Sequence, residues 1–131
     1  MDKDILLIFD LADRPGRIGI LENERPIIWH PLADGLANRK IVQAVHAFLG
    51  ERKMTLNQMN AFASVTKGSS FTGMRIGASV ANAFAWVFGR PAVGVHSSSA
   101  RLIQAAYKRA TPNATIEITY PSDVIPKANP G

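Results

Sequence analysis

Three groups of residues in this chain have types and spacings that could do chemistry. The first is the run Lys67-Gly68-Ser69-Ser70-Phe71-Thr72-Gly73-Met74-Arg75, where short residues lead into a helical pattern. Glycine and serines let backbone N–H groups converge on one small space, and a helix amino terminus adds partial positive charge there. Arg75 falls near the start of that helix, where the dipole disfavours a cation, so it calls for an anionic partner, either a carboxylate or a bound phosphate. Gly68, Ser69, Ser70, Thr72 and Arg75 are therefore candidate anion-binding residues. The run lacks the Walker lysine and its spacing. Its other reading is a tight turn with Ser70 or Thr72 as the helix cap.

The second group is the carboxylates and histidines. A two-metal nuclease needs clustered acids. Asp10 ends the first apolar run, but the next strand region, 61–66, supplies no acid, and the helix between them offers only Asp34 and Glu51 near its ends. His30, His46 and His96 stand in separate elements without a paired spacing, so no metal-ligand set is predicted. The third group, Ser97 to Ser99, reads as a helix cap, since no base or oxyanion arrangement accompanies it. The absence of cysteine excludes disulfides, thiolate nucleophiles and cysteine zinc sites, and suits a cytoplasmic protein.

The elements that position these residues belong to a chain of 131 residues, enough for one domain with one core. Hydrophobic residues make up 47%, an ordinary globular value. No apolar run approaches the length of a membrane span, and "MDKDILLIFD" reads as a first strand rather than a secretory signal. The net charge of +5 is carried by bases scattered over nearly every element with no tract among them. That fits a solvated basic surface, or weak attraction to RNA or to an acidic partner.

Strands are expected at Ile5–Ala12, Arg17–Asn23 and Pro26–His30, an antiparallel meander turned by "DRPG" and "NER". Pro15 presets its φ in the first turn and Gly16 tolerates a positive φ there. A helix from Asp34 carries Leu36, Ile41, Val45, Phe48 and Leu49 at helical spacing, with Val42 broadening the apolar arc and Gly50 as its stop. Then follow a strand at Ala61–Thr66, a helix over 72–88 closed by Gly89 and Pro91, a strand in "PAVGV", a serine-capped helix in "SSSARLIQAAYKRA" and a last strand in "ATIEITYP". The order β-β-β-α-β-α-β-α-β predicts an α/β fold of ribonuclease-H-like build, one lobe over 1–120 with a mixed sheet and helices on both faces. Residues 121–131 should form a flexible tail.

The helix at 72–88 is apolar nearly all round. Gly73, Gly77 and Ala81 make a smooth strip, while Met74, Ile76, Ala78, Ala83, Ala85 and Val87 lie elsewhere on the circumference. Only Arg75, Ser79 and Asn82 are polar, with Trp86 beside them. One sheet cannot bury such a helix. The first helix covers part of it, and a second polypeptide or the rest of this domain must cover the remainder.

"LNQMNAFASVT", "GSSFTGMRIG" and "GRPAVGVHSSS" together resemble the TsaB (YeaZ) family. Ser70, Phe71, Thr72, Gly73, Arg75, Ile76 and Gly77 match its motif residue by residue, and Gly94 and Val95 match its later strand. The specific part runs from Asn60 to Ser97. There are departures: Val65 to Ser70 replace a more glycine-rich loop, Asp10 is followed by Leu-Ala-Asp where the family has D-T-S, and the histidine usual near the first helix is absent. The chain stops where a typical member begins a second lobe, so the resemblance implies a one-lobe version.

The resemblance also implies a fold of the actin/Hsp70/sugar-kinase superfamily and a role without chemistry of its own. TsaB is the non-catalytic partner of TsaD in making threonylcarbamoyladenosine (t6A) at tRNA adenosine 37, and its first two helices pair with those of TsaD. Here that implies an interface of Leu36, Ile41, Val42, Val45, Met74, Ala78, Ala81 and Ala85. It further implies a TsaE-like ATPase in the assembly, tRNA met through the complex, a homodimer in isolation, no membrane, no metal and no cofactor beyond ATP or ADP at a complex interface. The alternative is an anion- or nucleotide-binding module, or a homodimeric binding protein, without a t6A role.

Overall fold

The computed structural model describes residues 3–33 and 38–118. The apolar run ILLIFD forms β1 (Ile5–Asp10), the centre of a five-stranded sheet, and its first five residues are all buried. A strand reads as continuously apolar when helices cover both its faces. β1 pairs antiparallel with β2 (Arg17–Glu22), with Leu7 opposite Ile20, and β2 pairs antiparallel with β3 (Ile28–Pro31). β4 (Ala61–Val65) runs parallel to β1 with Leu7 opposite Phe62, and β5 (Ala92–Val95) runs parallel to β4. The order is β3-β2-β1-β4-β5, the meander followed by helical crossovers that the element order predicts.

Three helices complete the lobe: α1 (Asn38–Glu51), α2 (Phe71–Phe88) and α3 (Ala100–Arg109). Alternation along the strands sorts the core into two layers. Leu7, Phe9 and Phe62 pack with α1 and α2, and Leu6, Ile8 and Ala63 pack with α3. Phe84 on α2 stacks near both Phe9 and Phe62, at centroid distances of 6.2 and 5.6 Å.

α2 lies close upon the sheet because its inner face has no side chains at two points. A Cβ on Gly73 would overlap the Leu11 carbonyl oxygen, and one on Gly77 would sit 2.6 Å from the Ser64 hydroxyl. Ser70 caps the helix, its Oγ accepting from the Gly73 N–H at 3.1 Å. Gly89, at φ 64°, closes the other end in the left-handed conformation.

Several local expectations fail for identifiable reasons. α1 does not stop at Gly50: the left-handed position falls to Lys53 (φ 56°), whose N–H reaches the Gly50 carbonyl while Met54 N–H reaches that of Leu49. Gly16 has no positive φ. It is buried beneath Leu11, after a cis Arg14–Pro15 peptide, and Asn23 (φ 54°) supplies the left-handed residue of the β2–β3 turn instead. Ser99 precedes α3 without a side-chain cap; Ser97 Oγ accepts from the Ser99 N–H at 3.1 Å.

The expected last strand makes no ladder over 114–118. Asn82 of α2 holds that segment instead, its amide donating to the Ile116 carbonyl at 2.9 Å and accepting from the Ile116 N–H at 2.8 Å. One side chain thus supplies the pair of bonds a neighbouring strand would have made. The remainder of that strand, and the tail expected at 121–131, lie outside the described residues.

Two glycine substitutions separate close packing from helix propensity. Gly73→Ala is expected to lower stability by about 1–3 kcal/mol, because backbone rather than a flexible side chain stands in the way. Gly50→Ala lies inside α1 with nothing within 4 Å of the added methyl, and is expected to raise stability by about 0.5 kcal/mol. Urea denaturation midpoints of the two variants read both effects.

Candidate functional site

In an open sheet with parallel strands, loops meet beyond the carboxyl ends of those strands, and ligands gather there. Here the ends of β1, β4 and β5 bring together residues 11–16, 66–70 and 96–99. Asp10 closes β1 and is held by Arg17, whose Nε donates to Asp10 Oδ2 at 2.9 Å. The same guanidinium donates from Nη2 to Ser98 Oγ at 3.1 Å and lies 3.8 Å from the centroid of the Trp29 ring. Arg17 therefore ties β2 to the loop after β5, and Asp10 is engaged in structure rather than in an acid cluster. Among the described residues no group of three or more His, Cys, Asp or Glu side chains is placed to hold a metal ion. His46 and His96 are exposed, and His30 stacks on Phe48 at 5.2 Å.

The glycine-serine loop meets an anion, and that anion is Asp13. The Ser69 hydroxyl donates to Asp13 Oδ1 at 2.6 Å and the Ser69 N–H donates to the same oxygen at 2.9 Å. These bonds hold the Asp13 carboxyl below its ordinary value of 3.8, the hydroxyl contributing most and the backbone N–H next. Ser70 N–H is committed to the Ala12 carbonyl at 2.7 Å, and a Cβ on Gly68 would sit 2.5 Å from that same oxygen. The loop is thus clamped onto the chain that leaves β1.

Two depressions flank Asp13. One, of about 460 Å³, is lined by Asp10, Arg17, Lys67, His96, Ser97 and Ser98 among others. The other, of about 610 Å³, is lined by Asp13, Arg14, Ser69, Ser70, Phe71 and Thr72. Ser69, Ser70 and Thr72 are therefore brought to one place with Gly68 beside them, while Arg75 stands exposed farther along α2.

The residues expected at a partner interface have a different fate. Ile41, Val45, Met74, Ala78, Ala81 and Ala85 are all buried within the chain's own core, and Val42 is half-buried. Leu36 lies outside the described residues. The apolar circumference of α2 is mostly enclosed by the sheet, by α1 and by residues 116–118, which pack into the same cluster. What α2 leaves outward is a line through Thr72, Arg75, Ser79, Ala83, Trp86 and Val87. Trp86 is 86% exposed and Val87 64%. The outward surface of α2 is thus corrected from its alanines to its Trp86–Val87 end. Trp86 stands at the i+4 step from Asn82, beside the polar residues of the helix, and that spacing was the available signal. Asp13 and Ser69 are 56 residues apart, and no local pattern joins them.

The model of TsaD, tRNA N6-adenosine threonylcarbamoyltransferase, matches residues 32–118, more than half of the chain. The chain belongs to the TsaD family. Within it, the lobe is YeaZ-like. A crystal structure of an uncharacterized protein with similarity to peptidase YEAZ from Pseudomonas aeruginosa is 27% identical, with a TM-score of 0.63, over 81% of this chain and 49% of that one. YeaZ from Pseudomonas aeruginosa is 28% identical, with a TM-score of 0.62, over 80% of this chain and 48% of that one. The chain spans about half the length of the solved structures it matches. No curated protein matches it. The expected fold class, a single mixed-sheet lobe of this superfamily with helices on both faces, is the one observed. No helix among the described residues is long and apolar enough to cross a membrane.

The Asp13 clamp has a pH consequence of definite sign. Its folded pKa lies below the ordinary 3.8, so the stabilisation is present above 3.8 and is lost as pH falls through the folded value. Ser69→Ala removes the larger of the two causes. In a carbon-detected NMR titration of the carboxyl, the Asp13 midpoint is expected to move up toward 3.8 in that variant and to remain depressed in the parent.

Proposed function

We propose that this YeaZ-like lobe is a non-catalytic docking subunit that binds a TsaD-like enzyme and supports t6A formation on tRNA. The observation that carries the reading is the exposed pair Trp86 and Val87 at the end of α2. An indole is the side chain most often found as an interface anchor, because it buries a large rigid area at small entropic cost. The same helix holds the matched motif Ser70 to Gly77, and its inner face is already committed to the sheet. A partner would meet the outward line, polar at Thr72, Arg75 and Ser79 and apolar at Ala83, Trp86 and Val87.

A non-catalytic role is supported by the state of the loop. The Ser69 N–H and hydroxyl are spent on Asp13, the Ser70 N–H is spent on Ala12, and Asp10 is spent on Arg17. A nucleotide such as ATP or ADP would in this reading belong to the complex rather than to the lobe. A TsaE-like ATPase is the further expected member of the assembly, and a homodimer through the same α2 surface is the form expected in isolation. The second reading, an anion- or nucleotide-binding module, is supported by the depression that Lys67 and His96 line beside Asp13. Calorimetric titration of the lobe alone with ATP, ADP and AMP separates the two, since a docking subunit gives no heat of binding.

The interface test follows from burial. Trp86→Ala and Val87→Glu are each expected to weaken binding to the TsaD-like enzyme by roughly 30-fold, the scale of an interface hot spot, while the free lobe stays folded with a cooperative melt. Ala78→Glu and Ala85→Glu place a charge in the core and are expected to unfold the lobe instead. Calorimetry for affinity and circular dichroism melting for fold read the two outcomes apart.

A further inference from the structure

The charge of this chain is segregated by its acids. From Arg52 to Ile116 there are eight lysines and arginines and not one aspartate or glutamate, whereas residues before Arg52 hold more acids than bases. The ion pairs among the described residues, Lys3–Glu22, Arg17–Asp10 and Arg25–Glu22, all fall in the first part. The fold then gathers four of the later cations. Arg101, Lys108 and Arg109 are exposed on α3, and Arg90 is exposed in the turn before β5. None of these four forms an ion pair with a described residue.

Two hollows show how they are joined. One, of about 470 Å³, lies between α3 and the β2–β3 turn and is lined by Asn23, Arg101, Gln104 and Lys108, with Glu24 at its rim. The other, of about 400 Å³, is lined by Asn60, Arg90, Pro91, Tyr107 and Lys108. Lys108 lines both, so Arg101, Lys108 and Arg90 make one band across α3. Glu24 lines the first hollow, and Asp4 accepts the Tyr107 hydroxyl at 3.4 Å.

We propose that this band binds the phosphodiester backbone of RNA. Exposed cations without carboxylate partners gain most from a ligand carrying regularly spaced anions, because binding releases that ligand's condensed counterions. Arginine forks match phosphate oxygens bidentately. An acidic protein or a membrane would need an apolar anchor between the charges, and on α3 only Leu102 is a large exposed apolar side chain. The Trp86–Val87 pair is on α2, which packs on the other face of the sheet. The choice of RNA agrees with the docking role proposed above and deepens it, giving the subunit a direct hold on the nucleic acid from a face its protein partner leaves open.

The test is fluorescence anisotropy with a labelled, unmodified tRNA transcript across a salt series. Affinity is expected to fall with a log–log slope of magnitude about 2.5, as for roughly three phosphate contacts. The double variant R101Q/K108Q is expected to bind about tenfold more weakly with the slope reduced by about 2. The control R52Q/K53Q makes the same change of charge away from α3 and is expected to stay within twofold. No binding at 50 mM salt, an equal loss in the control, or equally tight binding to polyglutamate or to phosphatidylserine vesicles would each overturn the proposal. Trp86→Ala is expected to keep its RNA affinity while losing the TsaD-like partner, so failure of this inference and failure of the docking reading are told apart.

Discussion

The close approach of α2 to the end of β1 is the constraint on which the rest of this lobe depends. Gly73 rides on the Leu11 carbonyl and Gly77 rides on Ser64, so the helix axis can come down where any side chain would hold it off. That approach lets Phe84 reach Phe9 and Phe62 in one aromatic layer. It also places the loop before α2 against residues 11–13, where Ser70 N–H meets Ala12 and Ser69 meets Asp13. Close-packed interiors transmit displacements of this kind, so a methyl at Gly73 would be felt along the whole helix.

The same geometry changes the meaning of the family motif. Gly-Ser-Ser-Phe-Thr-Gly looks like a phosphate cradle because glycines and serines expose N–H groups beside a helix amino terminus. In the folded lobe those donors are met from within: Asp13 takes the Ser69 hydroxyl and N–H, and Ser70 turns back to cap its own helix. The depressions beside Asp13 remain open, and the wall of the one toward β5 is braced by Arg17, which binds Asp10, Ser98 and the Trp29 ring at once.

Once α2 is seated, the lobe has two outward faces of different chemistry. On one side of the sheet α2 ends in Trp86 and Val87, an apolar pair with no cover among the described residues. On the other side α3 carries exposed arginine and lysine from a stretch devoid of acids. A surface that buries indole and a surface that attracts phosphate require opposite solvation, and the sheet between them keeps them apart.

How much of this was written in the sequence follows from the range of each interaction. The identities of the five observed strands and three helices, the antiparallel start, the parallel continuation, and the Ser70 and Gly89 caps come from periodicity and capping, which act within a few residues. The glycines of the Gly73–Gly77 strip and the motif around them pointed to the family for the same local reason. The Asp13–Ser69 clamp, the Asn82 hold on Ile116 and the gathering of Arg90 with α3 join residues far apart along the chain, and nothing local encodes such meetings. The side of α2 that faces outward was likewise decided only on folding. Alanines and tryptophan both read as apolar in sequence, but it was the sheet, α1 and the 116–118 segment that enclosed the alanines and left the indole in water.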